Sequence, residues 1–105
     1  MDIKKFMDAL AEFDLEDTIV LRSPDYTDAI IGISSEGNVI YDYDLMVKHI
    51  MQMDGSSREE AEDFVSYNTI RALPYMQGKG KVPIILTANR DNIYEMIEMS
   101  EANNE

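Results

Sequence analysis

His49 is the only histidine in the chain, and neutral imidazole near pH 7 can serve as a general base or a metal ligand. It falls on the apolar side of an expected helix, with no second histidine and no cysteine to complete a site. A packing role at the helix boundary is therefore the favoured reading. Two carboxylate groups, Asp42 with Asp44 and the run Glu12, Asp14, Glu16 and Asp17, offer the oxygen ligation that suits Mg²⁺ or Ca²⁺. Neither follows the calcium-loop pattern. Counted from Asp42, Val47 stands where that loop needs glycine and Met53 where it needs glutamate. Helix capping and a solvated acidic face account for both groups. Gly78-Lys79-Gly80-Lys81 offers two lysines to an anion, but Val82-Pro83 follows where a phosphate loop needs Ser or Thr opening a helix. A mobile loop is the expectation there.

Tyr67, Asn68, Thr69 and Arg71 gather late in another expected helix. Arg71 lies one turn beyond Tyr67, so the two can stack. Asn68 should face the core and satisfy its amide at the Pro74 turn or on a neighbouring strand. The eight methionines suit irregular cores, and flexible thioethers also make adaptable binding surfaces. Met46 and Met53 are expected inside and Met51 outside. Glu59, Glu62 and Asp63 belong to the exposed side of the capped helix. With Tyr67, Arg71 and Met51 they are the candidate partner-binding residues. No catalytic, cofactor-binding or metal-binding residue is assigned, and no cofactor is expected.

The elements that must carry these residues follow from periodicity. Ile3, Phe6, Met7, Leu10 and Phe13 keep helical spacing behind Asp2, whose charge suits a helix start. Thr18–Leu21 and Ala29–Ile33 are short and rich in β-branched residues, as strands are. Between them Ser23-Pro24-Asp25 reads as a turn. Ser34-Ser35-Glu36-Gly37 then turns a hairpin into Asn38–Tyr43. The second helix starts at Asp42 as N-cap, with Tyr41 and Met46 placed for a hydrophobic staple, and stops at Asp54-Gly55. Its buried stripe should be Leu45, Met46, His49, Ile50 and Met53. Ser57-Arg58-Glu59-Glu60 is a capping box opening a third helix, which runs to about Ala72 on Ala61, Phe64 and Val65. Val82–Thr87 is a last strand, with Pro83 marking it as an edge. A final helix from about Asp91 uses Ile93, Met96 and Ile97, and residues 102–105 should fray.

The order α-β-β-β-α-α-β-α predicts a small α+β sandwich, with a mostly antiparallel sheet of about four strands and helices packed on it. The 105 residues and a 45% hydrophobic share suit one domain spanning 1–105. There are 21 Asp and Glu against 9 Lys and Arg, a net charge of -12. The excess falls in every quarter of the chain, so direct contact with a nucleic-acid backbone is disfavoured. No cysteine means no disulfide, thiolate metal site or cysteine nucleophile. No apolar run approaches the ~20 residues of a membrane span, and the opening residues lack a secretory apolar core. A cytoplasmic location away from membranes is the expectation.

Tyr41-Asp42-Tyr43-Asp44, then Arg58 to Phe64 and Tyr67-Asn68-Thr69-Ile70-Arg71-Ala72-Leu73-Pro74-Tyr75, together resemble a group of small acidic proteins of bacterial and phage genomes. Those share a Glu-Glu-Ala-x-x-Phe-x-x-x-Asn pattern after an Asp-Gly turn, followed by a short strand like Pro83–Leu86. The resemblance covers about residues 38–87. It implies a compact stand-alone domain of phage or mobile-element character, and no activity, cofactor or site residue comes with it.

The leading expectation is thus a non-enzymatic acidic interaction protein, an accessory factor or inhibitor that binds a basic surface of a host protein such as a nucleic-acid-handling or defence enzyme. One alternative is a homodimeric structural or regulatory subunit pairing through the Val82–Thr87 edge. A small carboxylate-based metal-dependent enzyme ranks below both, because no nucleophile–base pair or metal motif is visible.

Overall fold

Local capping chemistry sets the helix starts. In this computed structural model, which describes residues 1–103, helix α1 spans Ile3–Glu12 and Asp2 accepts the Lys4 amide at 2.7 Å. Helix α2 spans Tyr43–Asp54: Asp42 Oδ2 accepts the Leu45 amide at 3.0 Å, and Gly55 ends it at φ 71°, where glycine avoids the Cβ penalty. Tyr41 and Met46, the staple pair, are both fully buried. Helix α3 spans Arg58–Asn68 and carries both halves of the capping box. The Ser57 hydroxyl accepts from the Glu60 amide, and Glu60 accepts from the Ser57 amide, each at 3.2 Å.

The architecture is α+β, but the sheet differs from the expected one. It has three strands, β1 (Ile30–Ile33), β2 (Val39–Asp42) and β3 (Ile84–Leu86), ordered β1-β2-β3. The pairing is mixed. β1 and β2 form the expected antiparallel hairpin, with a bulge between Ile30 and Gly32, whereas β2 and β3 are parallel. The chain leaves β2 through α2 and α3 and crosses back to re-enter the sheet at the end where β2 begins, and a crossover of that kind yields parallel neighbours. β3 lies at an edge of the sheet, with Pro83 buried just before it.

The expected strand at Thr18–Leu21 is not formed. It makes a single bridge, Thr18 to Lys81, and otherwise ties itself down piecemeal. The Thr18 hydroxyl donates to the Gly37 carbonyl at 2.7 Å, the Ile19 amide to the Lys81 carbonyl at 3.0 Å, and the Leu21 amide to the Tyr41 hydroxyl at 2.9 Å. Two of those three partnerships use side-chain oxygens, so no ladder can propagate. Thr27–Ala29 is a 3₁₀ turn, which delays β1 to Ile30. α3 stops at Asn68, short of Ala72, and Ile70–Met76 continues as 3₁₀ with Pro74 inside. The missing proline amide cannot extend α bonding.

The core lies between the inner face of the sheet and α2 with α3. Val39 and Tyr41 point into it from β2, Met46, Val47 and Ile50 from α2, and Ala61 and Val65 from α3. The α2 stripe is rotated from the expected one. Val47 is buried, while Leu45 and Met53 are exposed. Tyr26, fully buried, closes the core through a 3.0 Å hydrogen bond between its hydroxyl and that of Thr69.

Two helices stand apart. On α1 only Leu10 is buried, and Phe13 is 74% exposed. Helix α4, Arg90–Asn103, has no buried residue, and its apolar line Ile93, Met96 and Ile97 is exposed. The molecule measures 52 × 32 × 27 Å with a radius of gyration of 15.5 Å, against about 13 Å for a compact chain of this length. The expected fraying covers 102–105: Ala102 and Asn103 are helical here, and the last two residues lie outside those described.

Two substitutions test this framework. Ser57→Ala should lower stability by about 1 kcal/mol, the usual loss for an N-cap, and a denaturant melt matching the parent would show that no helix starts there. Tyr41→Phe leaves the buried Leu21 amide without its acceptor and should cost about 1–3 kcal/mol, read in the same melts.

Candidate functional site

The outer side of α3 presents the acidic candidates in order. Its capping box fixes the first turn, which leaves Glu59 and Asp63 exposed with no ion-pair partner among the described residues. Glu62 is different. Its carboxylate takes Arg58 Nε at 2.9 Å, and the same guanidinium donates through Nη1 to Asp44 Oδ1 at 2.8 Å. Lys48 Nζ reaches the other Asp44 oxygen at 3.0 Å. Two basic side chains therefore neutralise one edge of the patch, and its free charge lies at Glu59 and Asp63.

The hydrogen bond from Lys48 holds the Asp44 carboxyl below its ordinary value, with Arg58 adding to it against partial desolvation. Asp44 in turn raises the Arg58 guanidinium, and Glu62 adds to that. The neighbouring Asp42 is buried. One oxygen caps α2, and Oδ1 has no partner among the described residues. One Asp42 oxygen is thus spent on a cap and both Asp44 oxygens on an ion-pair chain.

Further along, Tyr67 is 68% exposed with the Arg71 guanidinium 4.7 Å from its ring centroid, the stacking expected from their spacing. Asn68 does not face the core. It is exposed and donates to the Phe64 carbonyl one turn back at 3.1 Å, satisfying itself within the helix. The core-facing polar residue is its neighbour Thr69. Met51 is half-buried and packs on the core cluster instead of pointing away. Glu59, Asp63, Tyr67 and Arg71 therefore form an exposed acidic and aromatic strip, with Met51 set into the body.

His49 gained a partner that local spacing could not reveal. Its Nδ1 lies 2.9 Å from Asp28 Oδ2, and its ring tilts against Tyr26 with centroids 5.5 Å apart. Asp28 sits on the 3₁₀ turn before β1, 21 positions away in the chain. Gly78–Lys81 is tied at its end, since the Lys81 amide donates to the Asp17 carbonyl at 2.7 Å. Gly80 allows that approach, because a Cβ there would run into the same carbonyl. Among the described residues no three His, Asp or Glu side chains converge to hold a metal ion. No helix there is long and apolar enough to cross a membrane.

Two apolar grooves lie at the outlying helices. Phe6, Leu10, Phe13, Leu15 and Ile33 line a shallow groove between α1 and the end of β1. Leu86, Ala88, Arg90, Ile93, Tyr94 and Ile97 line another, of about 530 Å³, where α4 leaves the sheet. Helical periodicity marks both stripes but does not say whether the fold supplies a cover.

The Asp44 chain carries a pH signature. A depressed carboxyl contributes stability that is fully present above its unfolded value and fades as pH falls through the folded one. The stability gap between the parent and Asp44→Asn should therefore stay constant well above the ordinary carboxylate range and close as pH falls through and below it. A gap that widens on acidification would show that Asp44 is not the group held ionised. No family model, curated protein or solved structure matched the chain.

Proposed function

We propose that this chain is a non-enzymatic interaction domain that docks its acidic surface on a basic surface of a protein partner. The observation that carries the reading is the uncompensated strip on α3, where Glu59 and Asp63 stand exposed without a counter-charge among the described residues. The whole molecule amplifies it. A net charge of -12 produces a long-range field that steers association with Lys- and Arg-rich surfaces and raises on-rates. Tyr67, with Arg71 on its ring, adds an exposed aromatic of the kind that anchors interfaces. On this reading the partner is a host protein with a basic surface, such as a nucleic-acid-handling or defence enzyme, in keeping with the resemblance of residues 38–87 to small acidic bacterial and phage proteins. An accessory factor or inhibitor is the corresponding role. A carboxylate-based enzyme has less support, since Asp44 is paired with two cations, one Asp42 oxygen caps α2, and no three such side chains converge among the described residues.

The test is partner capture followed by kinetics. A partner isolated from host extract should be basic and should dissociate as salt rises, because the Debye length falls from about 10 Å at 0.1 M to about 3 Å at 1 M. The triple reversal Glu59→Lys, Glu62→Lys and Asp63→Lys should slow association by at least about tenfold and change dissociation far less. A partner that holds equally at low and high salt, with the triple reversal silent, would contradict the acidic-docking reading.

A further inference from the structure

We propose that α4 is the contact surface of a homodimer, in which two copies pack their α4 helices antiparallel about a two-fold axis. The inference concerns a surface that the acidic-docking reading does not use. A 14-residue helix with no buried residue gains little from its own backbone, because isolated helices shorter than about 12–15 residues are marginal in water. Asn89 and Asn92 cap its start reciprocally, each side chain accepting the other's amide at 3.0 and 2.9 Å, which supports the first turn only. Something must cover the rest.

The stripe itself points to a second copy. Ile93, Met96 and Ile97 are 47%, 59% and 47% exposed, and Ser100 completes the i, i+3, i+4, i+7 line. At 100° per residue Asp91, Glu95 and Glu98 turn to the opposite side of the helix. Of the charged residues of α4, those beside the stripe are Arg90 at one end and Glu101 at the other, on the same flank. Arg90 rests on Tyr94, with a 2.9 Å bond to its hydroxyl, and has no carboxylate partner among the described residues.

In an antiparallel pair about a two-fold, each flank faces its own copy, so Arg90 meets Glu101 of the second copy, twice. A parallel pair would instead lay the Arg90 and Glu101 flank of each copy against the opposite flank of the other, where Asn92 and Met99 carry no charge, and would leave both ions without a partner. The antiparallel register centres on Met96 and Ile97 and sets Ile93 opposite Ser100, a small residue that lets the helices close. With Leu86 and Tyr94 from the adjoining groove, the covered side chains offer several hundred Å² per copy, approaching the ~800 Å² per partner of a standard interface.

Sedimentation of the full chain from micromolar to millimolar concentration tests this. The mass should rise from 12.0 kDa to twice that value. Added salt should strengthen the dimer by screening repulsion between two chains of charge -12, the reverse of its effect on docking to a basic partner. Ile97→Asp should weaken dimerisation by about 100-fold, since a two-fold interface loses each contact twice. Arg90→Glu should weaken it by about 3- to 10-fold, and the swap Arg90→Glu with Glu101→Arg should restore it. Lys79→Glu, which makes the same change in net charge off α4, should leave it unaltered. A monomer throughout the range, a dimer that ignores Ile97→Asp, or a swap that fails to restore association would overturn the proposal. Each of those outcomes leaves salt-sensitive docking of the acidic strip standing, so the two readings fail separately.

Discussion

Tyr41 sits in the middle strand with no exposed surface, and its hydroxyl accepts the Leu21 amide at 2.9 Å. Its backbone pairs with Ile30 on one side and Ile85 on the other. One residue thus joins both edges of the sheet to a segment that has no ladder of its own. Burial pushes its hydroxyl to a higher pKa, with the Leu21 bond opposing, so it stays protonated under ordinary conditions. The next residue, Asp42, caps α2, so the strand's end and the helix's start share one junction. Tyr26 makes the matching tie on the other side, through Thr69 to the end of α3. Around these two buried tyrosines the body closes, and what does not reach them stays loosely attached.

What could be read from the residues was what short-range chemistry determines. The caps at Asp42 and Ser57, the glycine stop at Gly55 and the hairpin over Ser34–Gly37 all depend on neighbours within about four positions. The misreadings share the opposite property. Thr18–Leu21 has strand composition, but its hydrogen-bond partners lie on Gly37, Lys81 and Tyr41, and two of those bonds run through the Thr18 and Tyr41 side-chain hydroxyls, which prevents a ladder. The parallel pairing of β2 and β3 depends on which end of the sheet the α2–α3 crossover returns to. Asn68 and Thr69 exchange expected places because the helix ends one residue before the polar position that Tyr26 claims. Of the candidate residues, Tyr67 with Arg71 was legible as a local pair. The Arg58 bridge that neutralises Glu62 was half legible, its helical neighbour being visible and Asp44 on α2 not.

The division between a closed body and two outlying helices frames the function. The body carries its charge outward and spends few cations on it, which leaves an acidic strip exposed on α3. α4 concentrates exposed apolar side chains along one line and turns most of its acids away from it. On the proposed readings these surfaces should respond to salt in opposite directions, because one would depend on attraction to an unlike charge and the other would have to overcome repulsion between like ones. A dimer would also present the acidic strip twice, and a partner with two basic sites would then bind with avidity.

Amide hydrogen exchange followed residue by residue at two protein concentrations tests the central claim most directly. Protection of β2, α2 and α3 should be strong and independent of concentration, because their bonds belong to the body closed by Tyr41 and Tyr26. The amides of α4 should exchange almost freely in dilute protein and become protected as concentration rises. Amides of α4 protected as firmly as those of β2 in dilute protein would contradict the account, since the helix would then be held by the body it was described as leaving.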